Sequence, residues 1–255
     1  MKEMRSLLNN VVACGVALVM VSTLAAQTAN DSAAKVIRLK GGARCKIGSN
    51  DWQPLKVGDL VRPGTVIQTA SKSQVDFIMG DPSAPVAQPA MGSSLSYNPT
   101  AEQNMVRVFE NTLIGIDKLT VMQTGADQVT ETQLDLKAGS IFGTVKKMSA
   151  ASKYEIKFPS GVAGIRGSTY WISAEGVIKM PSGTCVVAYP GANGTVMTQV
   201  INSHQMFDCR TGTLSALPDL DKTELNLISK QMVVGPTPAV TPVAADKSLD
   251  FISPH

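Results

Sequence analysis

The residues that could do chemistry in this chain are few, and their spacing does not assemble a catalytic group. There are two histidines, His204 and His255, and the second is the last residue. A Ser-His-Asp triad would have to use His204, within Asn202-Ser-His-Gln205. That segment reads as the turn between two strands. An ordinary turn histidine fits it better, because a triad is defined by geometry around the imidazole. No G-x-S-x-G elbow, H-E-x-x-H pair or P-loop is present. Asp81, Asp219 and Asp221 are not at EF-hand spacing and read as solvated turn acids. The expectation is a protein that is not an enzyme and uses neither a metal nor a cofactor.

Two other groups could bind rather than react. Between Lys137 and Lys179 the cations are Lys137, Lys146, Lys147, Lys153, Lys157, Arg166 and Lys179, against only Glu155 and Glu175. If strands of this region pair, Lys137, Lys146, Lys147, Lys153 and Lys157 form a candidate face for an anionic glycan, a lipid head group or an acidic protein. A solvated outer face that protects strand edges is the simpler account of the same lysines. The second group is Gly161-Val-Ala-Gly-Ile-Arg-Gly-Ser168. Gly161, Gly164 and Gly167 suit a backbone that turns or approaches a neighbour closely. Arg166 reads as a structural guanidinium satisfying carbonyls or an acid at that turn.

Cysteine chemistry is limited. Cys14 lies in an N-terminal apolar segment, leaving Cys45, Cys185 and Cys209. An odd number allows at most one internal pair. Cys185 opens one strand of a hairpin and Cys209 ends the strand after the next turn, so these two are expected to form the disulfide, with the reduced alternative left open. There is no C-x-x-C.

The elements that must position these residues are β throughout most of the chain. Lys153-Tyr-Glu-Ile-Lys-Phe158 alternates strictly, with Tyr154, Ile156 and Phe158 on one face. Residues 132–137, 36–40, 65–69 and 74–79 are further short β runs, and 184–189 with 195–201 reads as a hairpin around Pro190-Gly-Ala-Asn-Gly194. Turn signals recur at the spacing of an all-β sandwich, barrel or solenoid. Residues 81–100 read as a long surface loop. Asp221-Lys-Thr-Glu224 resembles a capping box, and Leu225, Ile228 and Met232 recur at helical spacing. One short helix over about 221–232 is expected, followed by a Pro-rich flexible tail.

Composition and the N-terminus bear on location. Net charge is +3 and aromatics are 5%, which argues against a protein built to bind nucleic acid. Lys2 and Arg5 precede an apolar run from Val11 to Val21 and then small residues. This reads as a secretory signal cleaved after Ala25 or Ala26. The rival reading is a lipobox at Val11-Val12-Ala13-Cys14, although Asn9 and Asn10 interrupt its apolar stretch. No later stretch is long enough to span a membrane. The expected division is a signal peptide over 1–26, a linker over 27–34, a β domain over 35–213, and a short helix and tail over 214–255.

Three motifs then carry a resemblance. Trp52 to Thr69, containing Leu55-Lys-Val-Gly-Asp-Leu-Val-Arg-Pro-Gly64, is similar to the opening of FecR-type domains, with Val61 where that pattern usually has Leu. Leu134-Asp-Leu-Lys-Ala-Gly139-Ser-Ile looks like the family's second signature. Val162-Ala-Gly-Ile-Arg-Gly-Ser-Thr-Tyr170 looks like its third, with Ser168 in place of the usual Thr. The resemblance covers about 36–212. It departs after residue 79, where Gly80-Asp81-Pro82 and an insertion replace the usual Asp-Gly-Ser. It departs also at the N-terminus, where a signal peptide replaces the anti-sigma segment and membrane helix, so the sigma-factor role does not carry over. The resemblance implies an all-β, two-layer solenoid-like fold; with the turn spacing and the capping signal, the expected architecture is short antiparallel, solenoid-like strands in two layers with one short C-terminal helix. It implies a bacterial, periplasmic or secreted module for binding, scaffolding or sensing. The implied partner is an envelope protein or glycan, with no nucleic acid and no membrane span after signal removal.

Overall fold

The computed structural model describes residues 30–80, 104–124, 127–191 and 193–232. The expected signal segment, the expected loop over 81–100 and the Pro-rich tail lie outside them. The strands in chain order are β1 (Asn30–Asp31), β2 (Ala33–Lys40), β3 (Ala43–Ile47), β4 (Gln53–Pro54), β5 (Leu60–Val61), β6 (Thr65–Thr69) and β7 (Gln74–Gly80). They continue as β8 (Asn104–Val108), β9 (Leu113–Thr124), β10 (Asp127–Ala138), β11 (Ser140–Thr144), β12 (Lys153–Phe158) and β13 (Gly161–Ile165). The last are β14 (Thr169–Ser173), β15 (Val177–Ser182), β16 (Thr184–Pro190), β17 (Val196–Asn202), β18 (Gln205–Asp208) and β19 (Thr213–Ala216), before α1 (Asp219–Met232).

These strands form two sheets stacked face to face. Sheet A runs β17-β16-β13-β12-β10-β9-β6-β3-β4, with β1 on β9; sheet B runs β19-β18-β15-β14-β11-β8-β7-β2-β5. The chain builds them by crossing repeatedly from one to the other: β12 and β13 lie in A, β14 and β15 in B, β16 and β17 in A, β18 and β19 in B. The result is the expected two-layer, solenoid-like all-β architecture. Pairing is antiparallel except between β10 and β12, where β11 crosses through sheet B between them. Not every strand is short. β9 and β10 are 12 residues each. Strands already begin at Asn30, inside the stretch read as a linker.

Period-two alternation accounts for the core. In β12, Tyr154, Ile156 and Phe158 are buried while Lys153 is exposed and Glu155 and Lys157 are half-buried. Leu134 and Leu136 from β10, Ala163 and Ile165 from β13, and Val187 from β16 meet Tyr170, Ile172, Ile178 and Phe207 from sheet B. Fully burying one such side chain is worth about 1.5–3 kcal/mol. The Tyr154 and Tyr170 hydroxyls satisfy each other inside this core at 2.9 Å, since a buried hydroxyl without a partner is costly.

The central strands of sheet B are covered on both faces. Their outward residues Ile78, Met105 and Phe142, with the half-buried Ile37, Trp171 and Met206, pack against Leu217, Leu225, Met232 and Ile228 of the C-terminal segment. Helix α1 therefore lies across the outer face. It starts at Asp219, two residues before the expected cap, where the Lys222 amide donates to the Pro218 carbonyl at 3.0 Å. Asp221 is not the cap; its carboxylate pairs with Lys179 Nζ at 2.9 Å. Among the described residues no helix is long and apolar enough to cross a membrane.

Candidate functional site

The Gly-Ile-Arg-Gly segment is where the chain leaves sheet A for sheet B. Ile165 ends β13 pointing into the core, and β14 begins at Thr169. Gly167 has φ +67, and a Cβ there would sit 3.2 Å from the Lys147 Cα. Gly161 has φ +156, and a Cβ would run into the Ala188 carbonyl oxygen of β16. Both positions thus exclude a side chain. Gly164 differs: its φ is not positive and the nearest atom to a Cβ would be 3.7 Å away, so the backbone does not require it to be glycine. The buried Ser168 hydroxyl stitches the turn to β16, accepting from the Thr184 amide and donating to the Thr184 carbonyl, both at 2.9 Å.

Arg166 does not perform the structural role expected of it. It is exposed, and its guanidinium has no hydrogen-bond or acidic partner among the described residues. The reason is its parity: Ile165 points inward, so its neighbour points to solvent.

The five lysines do not form one face. Lys137 (β10), Lys153 and Lys157 (β12) point outward from sheet A, whereas Lys146 and Lys147 lie in the β11–β12 connection. On the sheet, charge is balanced locally. Lys157 pairs with Asp117 at 3.1 Å, Lys137 with Asp135 at 3.4 Å, and Lys118 with Glu131 at 2.6 Å. The remaining cations gather at one end of the sandwich. Gly167 packs against Lys147, and the β12–β13 register, Glu155 opposite Gly164, continued by two residues, sets Arg166 beside Lys153. Lys146, Lys147, Lys153 and Arg166 have no acidic partner among the described residues.

The outer face of sheet A has no element of the described chain over it. Register places Lys157, Val162, Ala188 and Thr198 in one row across β12, β13, β16 and β17, with Glu155, Gly164, Val186 and Val200 in the next. Val162, Val186 and Val200 are exposed. They form an apolar strip beside the charged ladder of β9, β10 and β12.

The expected Cys185–Cys209 bond is not formed; both thiols are free and buried. Cys185 sits at the start of β16, opposite Ile165 and Ile201. Cys209 follows the far end of β18, its amide donating to the Gly176 carbonyl at 2.9 Å. Tyr189, at the other end of β16, is the residue that stacks on Phe207 near Cys209. Cys185 lies in sheet A and Cys209 follows a strand of sheet B, and the two remain separate thiols. Burial pushes the Cys185 thiol up to about 12 and the Cys209 thiol up to about 11, with the neighbouring Cys209 and Asp208 charges respectively adding to the effect. His204 is exposed in the β17–β18 turn with φ +62.

One group escaped sequence reasoning. On the outer face of sheet B, Arg107 donates from Nε and Nη2 to both oxygens of Asp76, at 2.7 and 2.8 Å, with both side chains buried. Arg38 Nη1 donates to Asp76 Oδ2 at 2.8 Å and to the Gln231 carbonyl at 2.9 Å, while Arg107 Nη1 donates to Gln231 Oε1 at 3.2 Å. This network fixes the C-terminal end of α1 over β2, β7 and β8. A guanidinium donating to a carbonyl at a helix C-terminus also complements the helix dipole. The local sequence carries little signal for it: Asp76 follows the outward Gln74 on β7, and only α1, from far along the chain, covers the pair.

Comparison with known proteins adds little. No protein-family model matches the chain, and no curated protein matches it. Among solved structures, it is similar to a candidate anti-sigma factor from Parabacteroides distasonis ATCC 8503. The identity is 7%, with 74% of this chain and 59% of that chain covered, and the TM-score is 0.28. The chain thus spans less than two thirds of that protein's length.

Proposed function

We propose that this chain is an exported, non-catalytic FecR-type module that binds an envelope protein through the open face of sheet A. One observation carries the reading: the sandwich is asymmetric. Sheet B is closed by α1, whereas the described chain leaves the outer face of sheet A bare, with an apolar strip at Val162, Val186 and Val200. An apolar centre flanked by paired charges suits a protein partner, because contact cores are apolar and their rims polar. The FecR-like motifs support the same reading, as they fall on the turns that build the two layers. The test is photo-crosslinking in the intact cell from an amino acid with a photoreactive side chain at Val162 or Val186, with Glu224 on α1 as control. The reading expects a discrete heteromeric adduct from 162 and 186 and none from 224. Adducts from 224 alone would overturn it.

A second reading is favoured by a separate observation, the cations Lys146, Lys147, Lys153 and Arg166 at one end of the sandwich, which have no acidic partner among the described residues. They suit a polyanion, such as a sulfated or phosphorylated glycan, through charge rather than shape. A heparin column would retain the protein at low salt, and Lys147→Ala with Arg166→Ala would advance its elution. Elution unchanged by the pair would remove this reading.

A further inference from the structure

The two ends of the sandwich are finished differently. At the β4/β5 end, the edge strands are two residues each, and β4 contains Pro54. Leu55 and Val61 are buried there. The β2 edge is occupied by the 56–59 turn, with the Val36 amide donating to the Asp59 carbonyl and the Gly58 amide to the Val36 carbonyl. Short strands, proline and a covering loop are the usual protections of a sheet edge.

Among the described residues the β17/β19 end has none of them. β17 is 7 residues long and pairs with β16 without a register shift. From Met180 to Phe207 the sequence has no Lys, Arg, Asp or Glu. β19 likewise carries no charge and is exposed along its length. The core itself is open here. Met197 lies opposite the buried Tyr189, so its side chain is on the core side of sheet A, yet it is 48% exposed. Leu214 lies opposite the buried Phe207, on the core side of sheet B, and is 38% exposed. Stacked-strand architectures need a polar cap at each end to stay soluble alone; this end is apolar.

We propose that a second copy of this chain occupies it. An antiparallel pairing of β17 with β17 of the second copy, centred on Gln199, sets Thr198 opposite Val200 on the outer face and Met197 opposite Ile201 on the core side. A twofold axis perpendicular to both layers brings the two β19 edges together in the same contact. Such an isologous contact sets residue i against j and j against i, so an edge rich in one sign of charge would repel its copy, and this edge carries no charge of either sign. The chain's own C-terminal residues are a poorer occupant. Gln231 is held over β2, β7 and β8, which at the usual strand spacing leaves residues 233–255 starting ~30 Å from β19. The end contact shares Val200 with the strip on sheet A but is made edge to edge rather than across the face, so either can fail without the other.

Sedimentation velocity of the exported protein over a concentration series tests this. The wild type should associate to a dimer. Thr198→Lys with Val200→Lys sets like charges opposite each other across the twofold and should abolish the dimer. Thr198→Glu with Val200→Lys sets opposite charges there and should retain it. Both positions are exposed, so thermal melts should confirm that each variant folds. A wild type that stays monomeric at every concentration overturns the proposal, as does a dimer indifferent to both pairs of substitutions. A monomer whose β17 amides resist hydrogen exchange also overturns it and gives the edge to residues 233–255.

Discussion

Arg107 grips both carboxylate oxygens of Asp76 beneath helix α1, at 2.7 and 2.8 Å. Neither side chain reaches solvent, and Arg38 and Gln231 complete their hydrogen bonds. Breaking such a pair from one side leaves a buried charge uncompensated. Asp76→Ala should therefore cost about 3–5 kcal/mol in urea unfolding. Asp76→Leu combined with Arg107→Met removes both charges from a face already lined by Ile78, Met105 and Met232, and should recover most of that loss. Single variants that unfold within about 0.5 kcal/mol of the parent would show that the pair is not structural.

The Gly161–Ser168 segment predicts a graded series. Gly167→Val forces a side chain into a left-handed conformation and against Lys147, and should cost about 1–3 kcal/mol. Gly161→Val meets the β16 backbone and should cost at least as much. Gly164→Ala has room and an ordinary φ. Arg166→Ala removes an exposed side chain without a partner among the described residues, so both should stay within about 0.5 kcal/mol of the parent. Thermal melts of the four variants check the order; a destabilised Arg166→Ala would restore its structural role.

The buried thiols predict alkaline sensitivity. Cys185 and Cys209 are held by burial at about 12 and about 11, above the ordinary 9.0. The folded protein keeps these protons longer than the unfolded chain does. Their contribution to stability is therefore complete below about pH 9 and is lost as pH rises through 11 to 12. Tyr154 and Tyr170, whose hydroxyls burial also pushes up, act in the same direction above pH 10. Melting temperature should fall from pH 9 to 11, and less steeply for Cys185→Val. A flat or rising profile would contradict the burial of these groups.

Much of the fold was legible because its signals are local. Strict alternation marked Lys153–Phe158, and β12 has those bounds. Pro190 to Gly194 marked the β16–β17 hairpin. What was not legible depended on which sheet a strand joins. Asp76 alternates with apolar neighbours and so reads as solvent-facing; only α1, arriving from far along the chain, buries it. Cys185 and Cys209 looked like neighbours because successive strands were assumed to pair. Here the chain changes layer after every second strand, so β16 and β18 lie in different sheets, and β16 pairs with β13 and β17. The lysines divided for the same reason, three on the strands of one sheet and two in a connection at its end.

The open face of sheet A as a contact surface is tested most directly by lysine acylation followed by mass spectrometry, comparing purified protein with protein in intact cells. Lys118, Lys137 and Lys153 report the exposed face of sheet A, and Lys230 reports the exposed side of α1. The β16–β17 hairpin has no lysine, so labelling at these four sites reads the face rather than the end contact. Binding through sheet A predicts that the first three are protected several-fold in cells while Lys230 reacts as in the purified protein. Protection of Lys230 with the sheet A lysines fully reactive would contradict it.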